Sequence, residues 1–481
     1  MHTQSQSFGG MGLSETMLQA IARKGFSMPS RIQSAAIPLL LGSNRDLIGQ
    51  AKTGTGKTAA FGIPLLEAIT HKSRYPQALI LVPTRELAIQ TAGELESLQE
   101  RGELSIVPVY GGQPIGPQIR TLKRGSDIIV GTPGRVLDHI ARGTIDFCKT
   151  AHVVLDEADE MLDQGFIEDI ETILSSLPEG RRTILFSATM PKAVAALAER
   201  FMKAYDHISV PAHQRDEDLT EHTYIEVHEK DKFEALRRII DSKPDFFGIV
   251  FCRTRIDTDR TAKDLQAYGY HAEALHGDLS QNHREQVLSA CRARRTSILV
   301  ATDVAARGID IAELSHVINY ALPQDARSYI HRIGRTGRAG KTGRAVTLVN
   351  PYETKRLITF QHSLKLNIKR ETLPVVRDIV AVKRMMLQSS IHQIIHQQRF
   401  GEYLDAAAML TEGQDPLAVI ASLLVHTSQK DLCPSHYREL RKPKSENNVY
   451  ASTGNQRYPH NGFKKRFKKS VRSTRKSSYS R

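Results

Sequence analysis

Short apolar runs recur along the chain, and within them apolar residues do not alternate with polar ones. The first series falls at Ala78–Val82, Asp127–Val130, His152–Leu155 and Thr183–Phe186. The second falls at Gly248–Phe251, Ser297–Val300, His316–Asn319 and Ala345–Val349. A strand with one wet face alternates, whereas a strand covered on both faces reads as a continuous run rich in Val and Ile. The runs therefore predict strands of parallel sheets, and the helix-like segments between them predict βαβ units. A polar, acidic segment at 210–219 separates the two series and reads as a linker. After about Leu364 the strand runs stop, and residues 374–430 carry helical patterning, which predicts a small third module of helices. No tandem repeat is visible.

Composition narrows this picture. The chain has 481 residues, 40% hydrophobic and 25% charged, with no Trp, which is a globular balance. Its four cysteines are far apart and form no CxxC, so neither a disulfide framework nor a cysteine-rich zinc module is expected. The first residues lack the basic and apolar regions of a signal peptide, and no apolar stretch reaches the ~18 residues that cross a bilayer. A cytoplasmic protein with no membrane partner is the expectation. The net charge is +14, but the excess is local: residues 434–481 hold 14 Lys and Arg against 2 acids. That tail is rich in Ser and Asn and is punctuated by Tyr and Phe, so it reads as a disordered basic arm suited to nucleic acid. The boundaries that follow are a first domain at 1–210, a linker at 211–219, a second domain at 220–364, a helical module at 365–430 and a tail at 431–481.

Three clusters carry chemistry. Ala51-Lys52-Thr53-Gly54-Thr55-Gly56-Lys57-Thr58 follows a short apolar stretch and precedes a helix-like segment, which is the setting of a phosphate loop. Its glycines let backbone N–H groups wrap phosphates, Lys57 supplies a point charge, and Thr58 offers a hydroxyl to Mg²⁺. Asp156-Glu157-Ala158-Asp159 ends the run HVVL. There Asp156 can hold Mg²⁺ through water, and Glu157 can orient and deprotonate an attacking water. Far downstream, His331–Arg338 places Arg332, Arg335 and Arg338 three apart, and Arg335 and Arg338 read as arginine fingers acting when two domains close. Together these predict a Mg-dependent nucleotide hydrolase.

In that order, these motifs resemble a DEAD-box ATP-dependent RNA helicase of superfamily 2, over about Phe8 to Val349. The resemblance implies two RecA-like domains in tandem, an α/β fold. It implies ATP as the nucleotide, with Phe26 stacking on adenine, Gln33 bonding its edge and Asp310 meeting the ribose. Pro83–Leu87, Gly111-Gly112 and Thr132–Arg135 look like motifs facing RNA. The implied RNA contacts are Thr84, Arg85, Gly112, Thr132, Arg135, Arg284 of the Gln281–Arg284 pair, and Thr302. Ser187, Thr189 and His331 are implied to couple hydrolysis to strand separation. Ser30 stands where the family usually has Thr. Short polar groups, glycines and arginines suit phosphate and sugar contacts, so recognition largely independent of sequence is expected.

Leu366–Arg370 followed by Leu373-Pro374 resembles the junction in bacterial cold-shock DEAD-box helicases, where a helical dimerisation module follows. A homodimer through 374–430, or a monomeric cap on the second domain, both fit. His392 and His396 lie one turn apart on a helix, with no further metal ligand evident. The leading expectation is local RNA duplex unwinding and RNP remodelling, in ribosome assembly, RNA decay or cold adaptation. An ATP-gated RNA clamp with weak turnover uses the same pockets and stays open as the alternative.

Overall fold

The computed structural model describes residues 7–440 except 52–53, 70–71, 100–102, 211–218, 307, 310, 312–313 and 338–340, and omits the side chains of 428–431. Lys52, Thr53, Asp310, Arg338, most of the expected linker and the arm beyond residue 440 therefore lie outside the described residues.

Each series of apolar runs builds a seven-stranded parallel sheet. The first contains β1 (Asp46–Gln50), β2 (Ala78–Leu81), β3 (Ile106–Val109), β4 (Ile128–Gly131), β5 (His152–Leu155), β6 (Arg182–Ser187) and β7 (Tyr205–Ser209). Their spatial order is β3-β4-β2-β5-β6-β1-β7. The second contains β8 (Thr220–Glu226), β9 (Gly248–Cys252), β10 (Ala272–Leu275), β11 (Ile298–Thr302), β12 (His316–Asn319), β13 (Gly343–Val349) and β14 (Lys369–Arg370). They lie in the order β10-β11-β9-β12-β13-β8-β14.

Burial explains why the runs do not alternate. Ile80, Val130, Val154 and Ile184 join a core on one face of the first sheet. Their neighbours Leu79, Leu81, Ile129, Val153 and Leu185 join a second core on the other face. The second sheet repeats this, with Val250, Val300 and Ile318 on one face and Ile249, Phe251, Leu299 and Val317 on the other. Both faces are covered by helices, as parallel crossovers require.

Six strands fall outside the runs, β1 among them, and each lies at or beside a sheet edge. β3 carries Pro108 within IVPV, a residue tolerated at an edge because its missing N–H faces no partner. β7 alternates between exposed and half-buried positions. β10, β8 and β14 are short, polar or both. The expectation that strands end near Leu364 is corrected here: β14 pairs with β8, so the second sheet reaches Arg370.

Beyond it lie the helices Val376–His396, Leu404–Thr411 and Pro416–Leu432, as the helical patterning predicts. The tail does not begin at 431, however. After the last helix the chain returns to the second domain at the helix Lys232–Asp241. Arg237 and Arg238 donate to the carbonyls of His436 (3.2 Å) and Arg438 (2.6 Å), and the Tyr437 hydroxyl donates to Asp241 (2.7 Å). Tyr437 is buried and Arg238 pairs with Glu234, so an aromatic ring and a charge network fix this segment. Composition had hidden these few docking residues inside a basic stretch.

Candidate functional site

The chemistry-bearing residues gather at the carboxyl ends of the strands, where a parallel sheet splays its loops. β1 runs into the loop 51–56 and the helix Lys57–Ala68. Gly54 (φ 79°) and Gly56 (φ 84°) are left-handed. At Gly56 a Cβ would also sit 2.5 Å from the Gln33 amide, so glycine is required twice over.

Gln33 is tied into this loop. Its Oε1 accepts from the Ser30 N–H (2.8 Å) and its Nε2 donates to the Gly56 carbonyl (3.1 Å), while Ser30 Oγ caps the helix Arg31–Gly42. Ser30 thus does here what a threonine hydroxyl would do. Phe26 is half-buried against the first core.

Lys57 is buried, and its ammonium has no protein hydrogen-bond partner. Beside it Asp156 is also buried. Burial pushes the Asp156 carboxyl up to about 6, although the Lys57 charge pulls it down. A buried cation without a protein hydrogen-bond partner, beside a buried carboxylate whose Oδ1 accepts from the Glu157 N–H (2.9 Å), fits a phosphate and a divalent cation.

Glu157 begins the helix Ala158–Asp163 in the left-handed region (φ 53°, ψ 48°). A non-glycine residue held there costs ~1–3 kcal/mol and points to function. Two residues on, Asp159 accepts from the Thr189 N–H (2.9 Å) and hydroxyl (2.7 Å), and its own N–H donates to Ser187 Oγ (3.3 Å). Burial alone would raise the Asp159 carboxyl, but the hydrogen bond from Thr189 and the charge of Arg327 hold it below its ordinary value. The segment Ser187–Thr189 is therefore wired to the acidic helix.

The second domain meets this helix. His331 Nδ1 lies 3.2 Å from Glu160, and Arg327 pairs with Asp159 and Asp163. Arg335, with His331, Arg332, Ser328, Phe251, Asp303 and Ala306, lines a cleft in the second domain. Its guanidinium donates to the Ile309 carbonyl (2.5 Å). Arg332 has a different place. It is buried over the Phe251 ring, pairs with Asp303, and donates to Asn319 (3.1 Å) and the Ala321 carbonyl (2.7 Å).

The residues expected to face RNA fall into two groups. Arg135 is held by Gln118 (3.2 Å) and the Gln113 carbonyl (3.1 Å), and Thr132 sits buried ahead of the same helix. Of the others, Arg85 and Arg284 find partners across the two domains. Arg85 donates to Gln281 (3.2 Å), and Arg284 pairs with Glu86 and donates to the Ala305 carbonyl (2.5 Å). Thr84 caps the helix Arg85–Ser97. Gly112 lets the Arg85 side chain lie over it, since a Cβ would fall 1.9 Å from that guanidinium. Thr302 ends β11 and is buried.

Glu160 and Arg327 carry no role in the sequence, and Glu86, inside the Pro83–Leu87 motif, is given its partner only by the structure. For Arg327 a signal existed: it lies one helical turn before His331. Among the described residues no cluster of metal ligands involves His392 or His396, and no helix is long and apolar enough to cross a membrane.

Comparison with known proteins places this arrangement. Residues 30–197 match the model of the DEAD/DEAH box helicase family, and residues 231–340 match that of the helicase conserved C-terminal domain. The chain is 44% identical over 445 residues to the DEAD-box ATP-dependent RNA helicase CshA of Bacillus licheniformis, covering 92% of this chain and 91% of that one. It is 45% identical over 434 residues to CshA of Geobacillus kaustophilus, covering 90% and 93%. Among solved structures it resembles S. cerevisiae Dbp5 bound to RNA and ADP BeF3, with a TM-score of 0.70 and 32% identity over 79% of this chain and 99% of that one.

Proposed function

The chain belongs to the DEAD-box family of ATP-dependent RNA helicases, and from that membership we propose how its residues divide the work. ATP sits against the loop Ala51–Thr58, with adenine at Phe26 and Gln33 and the ribose at Asp310. Lys57 offsets phosphate charge. Thr58 and Asp156 hold Mg²⁺, which supplies charge neutralisation at the phosphates when bound. Glu157 takes the proton of the attacking water, and Arg335 and Arg338 stabilise charge developing on the γ-phosphate. The observation that supports this reading best is the buried Lys57 ammonium, without a protein partner, beside buried Asp156.

RNA binding is an exchange in this scheme. Phosphates replace the pairings Arg85–Gln281 and Arg284–Glu86, and join Thr84, Gly112, Thr132, Arg135 and Thr302. The contacts are to backbone, so the RNA is read with little regard to sequence. The basic arm beyond residue 440 adds charge to the same partner. The protein works in the cytoplasm. The decisive test is steady-state ATP hydrolysis with single-stranded RNA, with DNA and with neither. Strong stimulation by RNA alone, together with unwinding of a short RNA duplex, is expected. Tight ATP-dependent RNA binding with negligible turnover would instead favour the clamp.

The helical module leaves Met409, Leu417, Ile420 and Val425 more than half exposed, while Val376, Ile379 and Val380 of its long helix cluster with Tyr437 and Lys383 pairs with Asp241 of the second domain. Apolar side chains exposed in this number call for a partner. A second copy is the proposed occupant. Light scattering should give twice the chain mass, and Leu417→Asp with Met409→Asp should give a monomer that keeps its ATP hydrolysis per chain.

A further inference from the structure

Two helices face each other across the domains, and both present charge at one-turn spacing. The helix Ala158–Asp163 offers Asp159, Glu160 and Asp163, and the helix Ala326–Ile333 offers Arg327 and His331. Arg327 Nη1 donates to Asp163 Oδ1 at 2.8 Å, and Nη2 lies 3.1 Å from Asp159 Oδ2. One turn on, His331 Nδ1 lies 3.2 Å from Glu160 Oε2.

Asp159 is the informative partner. The same Oδ2 that faces Arg327 also accepts both the N–H and the hydroxyl of Thr189. An exposed ion pair is worth little, but Asp159 is 3% exposed at its side chain and Arg327 only 27%. Arg327 thus reaches, through one carboxylate oxygen, the segment that the resemblance makes the coupling element.

We propose that Arg327 is a positioning residue that fastens the closed arrangement of the two domains and, through Asp159, fixes Thr189 only when they are closed. This deepens, and rests on, the ATP-driven RNA helicase reading. Because the contact joins the domains, its loss weakens the closed state while leaving each domain's own ligand contacts intact. The signature is therefore lost cooperativity between nucleotide and RNA, and linkage makes that loss equal in both directions.

The test uses the full chain and a labelled oligouridine, with affinity read with ADP–BeF3 and without nucleotide. Arg327→Ala should weaken RNA binding with ADP–BeF3 by about 5–50-fold and without nucleotide by less than about 2-fold. Arg327→Lys, which keeps the charge but not the fork, should recover part of the loss. Asp163→Asn should weaken it too, and the double variant should lose less than the sum, since both changes break one contact. Unchanged affinity with ADP–BeF3, equal loss in both states, or full additivity would overturn the assignment. If the unaltered chain shows no nucleotide dependence, the helicase reading itself fails and this inference falls with it. A thermal melt of each variant, unchanged from the parent, separates the effect from misfolding.

Discussion

Replacing Glu157 with Gln is expected to cut RNA-stimulated ATP hydrolysis by about 10²–10⁴-fold, the usual contribution of a positioned general base. Binding of ATP and RNA should survive. The argument starts from the backbone. Glu157 is held in the left-handed region between a strand end and a helix start, a strained conformation fixed by its N–H on Asp156 and by its carbonyl, which caps the helix. Gln has the same shape and can occupy the same conformation, but it cannot take a proton. The neighbouring site should not suffer, because the Glu157 charge is one of the influences that raise the Asp156 carboxyl, and removing it leaves Asp156 more readily ionised. The variant should therefore trap nucleotide and RNA. Single-turnover hydrolysis and fluorescent-nucleotide binding on the same preparation check this, and near-normal turnover would remove Glu157 from the base role.

The parts of this machine differ in how far the sequence exposes them. Centrally placed strands were legible because their environment is uniform: β2, β4, β5, β6, β9, β11, β12 and β13 are apolar on both faces, and the runs mark them. Edge strands such as β3 and β7 were not, since one flank meets solvent and side-chain choice relaxes there. The site was legible wherever a residue type is forced by chemistry, as in the loop at Gly54–Thr58 and the acids at Asp156–Asp159. It was hidden wherever a role depends on what lies opposite. Nothing local marks Glu86 as the partner of Arg284, nearly two hundred residues away, or Tyr437 as the anchor of the chain's return. The same limit applies to His331–Arg338, whose evenly spaced arginines look equivalent on paper.

Their inequivalence gives the second large prediction. Arg335→Ala should lower the rate of ATP hydrolysis by about 10³–10⁵-fold, as loss of an arginine finger does, with ATP affinity and fold kept. Arg332→Ala should do the opposite and unfold the second domain. Arg332 is 3% exposed and satisfies Asp303, Asn319 and the Ala321 carbonyl at once. Its removal leaves a partly exposed carboxylate and a fully buried amide oxygen without their donor, and a buried polar group left unpaired costs about 1–3 kcal/mol. Arg335 bonds main-chain carbonyls at Ile309 and His331, and the loss of such bonds costs only about 0.5–1.5 kcal/mol each. It also lies four residues beyond His331, whose ring reaches the acidic helix Ala158–Asp163. A thermal melt and a rate on each variant separate the two. Arg335→Ala should melt only a few degrees below the parent and fail to turn over, whereas Arg332→Ala should melt much earlier and lose nucleotide and RNA binding together. Equal loss of stability in both, or ATP affinity falling with the rate in Arg335→Ala, would show that Arg335 holds the fold or the ground state and not the developing charge.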